Sequence, residues 1–139
     1  MYERVLVPID GSDGANRAIE HAMDIADRFD ADLYSLFVVD TRLYGEPGLS
    51  STELVIDDLE DYGTDLLADF ADRAGNRGLT AETRHCHGVP HEEIVDYADE
   101  VDADVIVMGY QGQTHERRGN IGSVVERVVR EADRPVFAV

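Results

Sequence analysis

Five short apolar or alternating runs, separated by four segments with apolar residues at helical spacing, constrain this chain more than any other feature. Tyr2 to Ile9 reads as a strand, Leu33 to Val39 as a buried one, and Asp104 to Met108, with the apolar run Val105 to Met108, as another buried one. Leu79 to His87 alternates as a strand, and Pro135 to Val139 forms a closing one. Ala15, Ala18, Ile19, Ala22, Ile25, Ala26 and Phe29 form the inward stripe of a first helix, with Ser12 as its N-cap. Val55, Leu59, Tyr62, Leu66, Phe70 and Ala74 mark a second helix, opened by the capping-box pair Ser50 and Glu53. Gly63 falls off that stripe, and Gly75 and Gly78 bracket the helix end. Pro90 suits the first turn of a third helix, which runs to about Glu100 with Ile94, Val95 and Ala98 inward. A fourth runs from about Ile121 to Ala132. Thr41 to Ser51, with Gly45, Pro47 and Gly48, reads as a loop. Strand–helix alternation with short crossovers predicts one α/β domain over residues 1–139, a parallel sheet with helices on both faces.

The fourth strand leads into Gly109-Tyr110-Gln111-Gly112, then nine residues, then Gly122-Ser123 at a helix start. Glycines let backbone N–H groups approach a ligand without a Cβ in the way. A helix N-terminus adds unpaired donors and partial positive charge, so strand, glycine loop and helix in this order can make an anion site. Arg117, Arg118, Arg127 and Arg130 against Glu116 and Glu126 give residues 109–130 a net charge of +2, on a chain of net charge −18. The alternative for the glycines is simple packing at a strand-to-helix turn, and for Arg117 and Arg118 a solvated loop.

The acidic balance, 30 Asp and Glu against 12 basic residues that are all arginine, repels nucleic acid and anionic lipid. Dense acid without lysine predicts adaptation to a high-salt cytoplasm, as in a halophilic archaeon, the alternative being an ordinary acidic mesophilic protein. The missing lysine also excludes a Gly-x4-Gly-Lys phosphate loop, a Schiff base and a lysine general base. One cysteine rules out an intramolecular disulfide, and neither a membrane span nor a secretion signal is visible, so a cytoplasmic location is expected. His85-Cys86-His87 looks like a metal triplet, but strand alternation puts Cys86 on the face opposite both histidines, so no metal site is expected. His91, Glu92 and Glu93 fit the preference for acids at a helix start.

The Gly109–Gly112–Gly122–Ser123 spacing, the opening Val5-Leu6-Val7-Pro8-Ile9-Asp10-Gly11-Ser12 and the segment Gly88-Val89-Pro90-His91-Glu92-Glu93-Ile94 resemble the universal stress protein family in its ATP-binding branch, in order along the whole chain. That resemblance implies an open, Rossmann-like five-stranded sheet of order 3-2-1-4-5, the adenine-nucleotide α-hydrolase-like fold. The winding then reverses between the strands ending at Asp10 and Gly109, where ligands of such sheets sit. The resemblance further implies that Pro8 and Ile9 shape a base pocket, beside Met108 at the end of the fourth strand. Asp10 would contact ribose or adenine, or serve only as a helix cap, and the Val38 backbone would meet the adenine edge. Gly109 and Gly112 would lie against ribose and phosphates. Gly122, Ser123 and the Val124 N–H would hold the outer phosphates, with Arg117 and Arg118 as further phosphate contacts. ATP, or ADP or AMP, would carry Mg²⁺ or Mn²⁺ mainly through its phosphates.

A nucleotide-dependent switch in stress response follows as the expected function. No nucleophile–base–orienter set is visible, so at most slow ATP hydrolysis is expected and no catalytic residue is assigned. The alternatives are an ATP- or AMP-using enzyme of the same superfold and a protein-interaction module that binds no nucleotide. Leu43, Tyr44 and Leu49 would cover the nucleotide or simply pack. Val136, Phe137, Ala138 and Val139 would be an exposed apolar edge in a monomer, and the resemblance implies a homodimer closed by pairing these strands across a two-fold axis.

Overall fold

The structure, a computed structural model, describes residues 1–42, 52–111 and 122–139, the first four residues of the second stretch by their backbone only. Among the described residues, strands β1 (Arg4–Pro8), β2 (Asp32–Asp40), β3 (Ala81–Gly88), β4 (Val105–Met108) and β5 (Val136–Ala138) alternate with helices α1 (Asp13–Phe29), α2 (Thr52–Asn76), α3 (Pro90–Val101) and α4 (Ser123–Glu131). The strands form one sheet of order β3-β2-β1-β4-β5, and every neighbouring pair is parallel. The parallel sheet is the one the strand–helix alternation predicts and its order the one the family resemblance implies, with each strand a residue or two from its expected bounds.

The contiguous apolar runs have a direct cause. Val5, Leu6 and Val7 are fully buried because both faces of the central strand are covered. Val5, Val7, Leu33, Phe37, Val105 and Val107 face the layer of α1 and α2. Leu6, Leu36 and Ile106 face α3 and α4. The edge strand β3 carries the alternating, more polar sequence and is correspondingly less buried.

Ser12 caps α1 as expected: its hydroxyl oxygen accepts the Ala15 N–H at 3.1 Å. The α1 stripe is buried at Ala15, Ala18, Ile19, Ala22 and Ala26, and Met23 joins it. Phe29 departs from the expected stripe. It is exposed in the last turn, with its ring edge-on to Tyr2 at 5.1 Å. In α2 the inward row is Gly63, Leu67, Phe70 and Ala74, while Tyr62 is 43% exposed. Gly63 is thus on the stripe, for a reason that lies on another element: a Cβ there would stand 2.2 Å from the Phe37 ring of β2. Pro90 opens α3 as expected, and Tyr97 is buried there beside Ile94 and Ala98. The first residue of α4 is Ser123, and Ile121 lies outside the described residues, as do Ser50 and the segment from Leu43 to Ser51. No helix among the described residues is long and apolar enough to cross a membrane.

Candidate functional site

Three parallel strands, β2, β1 and β4, end side by side, and the chain leaves β1 toward one face of the sheet and β4 toward the other. That divergence opens a cleft of about 550 Å³ at the carboxyl ends of the strands. Pro8, Ile9 and Asp10 line it from β1 and its following turn. Val38, Val39 and Asp40 line it from β2, Met108 and Gly109 from β4, and Gly122, Ser123 and Val124 from the start of α4. Every described residue of the expected site therefore meets in one cavity. Gly112, Arg117 and Arg118 lie outside the described residues.

The turn after β1 is fixed by its own side chains. Asp10 Oδ1 accepts the Ser12 N–H at 2.9 Å, and Gly11 adopts φ +80°, a conformation that favours glycine. Gly109 sits where α1 presses on the end of β4. A Cβ on Gly109 would lie 2.4 Å from the Gly14 carbonyl carbon, and one on Gly14 would lie 2.5 Å from the Gln111 carbonyl oxygen. Backbone thus packs on backbone at the start of the glycine segment, and neither glycine tolerates a side chain there. The Gly122 N–H donates to the Tyr110 carbonyl at 2.6 Å, tying the two ends of the 110–122 segment together. Gly122 then serves as the N-cap of α4 with no side-chain hydrogen bond to the first turn. The first turn of α4 thus has no side-chain cap, and its residues Ser123 and Val124 line the cleft.

The cleft has two chemically different ends. On the β4 side lie the glycines and the helix start. On the β2 side Leu59, Tyr62, Phe37 and Val39 make an apolar wall, with a charged pair at its rim. Arg42 Nε donates to both carboxylate oxygens of Asp40, at 2.8 and 3.0 Å. The guanidinium bonds hold the Asp40 carboxyl below the ordinary aspartate range, against a smaller upward push from burial. Sequence reasoning missed Asp40, Arg42 and Tyr62. Asp40 was recoverable, since it ends a strand next to β1 at the reversal of winding. Tyr62 was not, because it reaches the cleft from a helix distant in sequence.

Other expectations fall on either side. Cys86 turns to the α3 and α4 layer while His85 stacks on Phe37 at 5.6 Å, so the alternation argument holds. Burial, reinforced by Glu93, pushes the Cys86 thiol up to about 11. Among the described residues no group of three or more His, Cys, Asp or Glu side chains is arranged to hold a metal ion. Arg130 pairs with Glu126 at 2.8 Å, one turn apart on α4, and Arg127 is exposed. The described half of the basic island is therefore partly neutralised.

The geometry agrees with comparisons to known proteins. A model described as the universal stress protein family matches residues 1–139. A universal stress protein of Methanocaldococcus jannaschii is 39% identical, the match spanning 100% of this chain and 82% of that protein. Among solved structures, the universal stress protein UspA from Lactobacillus plantarum superposes with a TM-score of 0.89 at 30% identity, covering 99% of this chain and 97% of that one. A universal stress protein in complex with cAMP gives 0.69 at 30% identity, covering 99% and 96%. The universal stress protein from Archaeoglobus fulgidus in complex with dAMP gives 0.68 at 25%, covering 99% and 97%. With its full-length match and its sheet of order 3-2-1-4-5, this chain belongs to the universal stress protein family.

Proposed function

We propose that this chain is a cytoplasmic, ATP-binding member of its family that acts as a nucleotide-dependent switch in stress response, with at most slow hydrolysis. The observation that carries the reading is the two-ended cleft, apolar toward β2 and bordered toward β4 by glycines and a helix start without a side-chain cap. An adenine nucleotide has the matching polarity, with a flat base at one end and anionic phosphates at the other. Complexes of two family members with cAMP and dAMP support the same class of ligand.

In this reading Pro8, Ile9 and Val38 shape the base pocket and Asp10 meets the ribose. Met108 borders the base pocket, and ribose and phosphates are assigned to Gly109 and, outside the described residues, to Gly112. Ser123 and the Val124 N–H hold the outer phosphates. Gly122 contributes by lacking a side chain, since its own N–H is committed to Tyr110. Arg117 and Arg118 add charge from the adjoining segment. Mg²⁺ or Mn²⁺ arrives with the phosphates and is held mainly by their oxygens and water.

The protein works as a homodimer through β5, whose Phe137 and Ala138 are exposed at the sheet edge. The acidic, lysine-free composition belongs to a high-salt cytoplasm.

The test is calorimetric titration of MgATP into dialysed, nucleotide-free protein in molar KCl. Saturable binding near one per chain is expected, with turnover well below the roughly 1–10³ s⁻¹ of ordinary enzymes. Absence of heat at several temperatures from folded protein would refute the switch and favour an interaction module.

A further inference from the structure

Tyr62 reads in the sequence only as part of a helical stripe and lies outside the segments that carry the family resemblance, yet it lines the cleft. Among the described residues, the large apolar or aromatic side chains left exposed are Met1, Phe29, Tyr62, Val129 and Phe137, and Tyr62 alone of these borders the cavity. Its ring is held by other groups: edge-on to Phe37 at 6.2 Å, with the hydroxyl seated over Gly11 where a Cβ would meet it at 1.8 Å. Gly11 lies between Asp10 and Ser12, so this hydroxyl stands at the turn whose carboxylate borders the cavity. An amphipathic ring, fixed in place and left half open to a cleft, has the form of a ligand-contacting surface.

We propose that Tyr62 is a binding residue for the nucleoside half of the ligand, its ring covering base or sugar and its hydroxyl hydrogen-bonding beside Asp10. The inference rests on the adenine-nucleotide reading above and adds a wall that the family's glycine motif does not contain. The sheet order decides which half of the ligand it meets. Tyr62 comes from α2 on the β2 side with Leu59, whereas Gly109 and the open start of α4 lie on the β4 side, with β1 between them. A residue on the apolar side serves the part common to ATP, AMP and adenosine. Gly11 is then required twice, for its positive φ and because any side chain would displace the tyrosine.

The experiment compares wild type, Tyr62→Ala and Tyr62→Trp by titration with adenosine, AMP and MgATP in molar KCl. Tyr62→Ala is expected to weaken all three by the same factor, roughly tenfold, as loss of one aromatic contact implies. A contact to phosphate would instead give a loss that grows from adenosine to ATP, and that pattern overturns the assignment. Tyr62→Trp keeps a ring and introduces the chain's sole tryptophan. Its emission is expected to shift on adding adenosine, a readout that holds even where the alanine variant folds poorly. Wild type that binds all three, with silent Tyr62→Trp emission and unchanged Tyr62→Ala affinity, overturns the Tyr62 assignment alone. Wild type that binds none overturns the nucleotide reading and this assignment with it.

Discussion

Gly109 shows how one residue can satisfy two demands. It lines the cleft, where a side chain would intrude on a ligand, and it touches Gly14 across the packing of α1 on β4. The packing demand holds whether or not anything binds. A methyl group at 2.4 Å from a backbone carbon cannot be relieved by a rotamer change, so α1 or the end of β4 must move. Gly109→Ala should therefore lower stability by about 1–3 kcal/mol in the absence of nucleotide. Melting of the nucleotide-free variant in molar KCl checks this, and an unchanged transition would leave ligand approach as the sole reason for this glycine. The same distinction explains what the sequence could disclose. The spacing of residues 109, 112, 122 and 123 raised the expectation of an anion site, of which the described members line the cleft, and Ser12 that of a cap, which forms. Gly63 disclosed nothing, because its reason is the Phe37 ring on another strand, a contact that no local pattern encodes.

At the level of elements, periodicity was informative wherever burial was one-sided or complete. The buried strands announced themselves as apolar runs, and α1 as a stripe of alanines with Ile19. Periodicity misplaced Tyr62 and Phe29, because an aromatic at helical spacing reads as core even where it ends over a cleft or at an edge. β5 was legible as a short apolar run, although it lies at an edge of the sheet. In β5, Val136 packs against the core on the α3 and α4 side, whereas Phe137 is exposed and edge-on to Tyr2 at 6.1 Å. Phe137→Asp thus probes the proposed dimer edge with less damage to the core than a change at Val136. The expected outcome is a halved mass by light scattering with a far-ultraviolet dichroism spectrum like that of wild type. A folded variant that keeps the wild-type mass would remove β5 from the interface.

The whole molecule is governed by its charge. Thirty acids against 12 arginines leave a net charge of −18 on 139 residues. Arginine is used economically as a bridge between helices: Arg73 reaches Glu20, and Arg77 reaches both Asp24 and Asp27, tying α2 to α1 across the outside of the sheet. Such exposed pairs are each worth roughly 0–1 kcal/mol, so they cannot offset the repulsion among the remaining acids. Screening can. The Debye length falls from about 10 Å at 0.1 M to about 3 Å at 1 M, shorter than the spacing between most surface charges. Folding gathers these charges and unfolding spreads them, so low ionic strength penalises the native state. The melting temperature should rise steeply between 0.1 and 1 M KCl and flatten above that as screening saturates. Sucrose, which strengthens burial without screening charge, should raise it at 0.1 M by less than 1 M KCl does. A melting temperature indifferent to KCl over this range would mean that the acid surface is already neutralised, by bound cations or by partner chains, and would sink the salt-adaptation proposal.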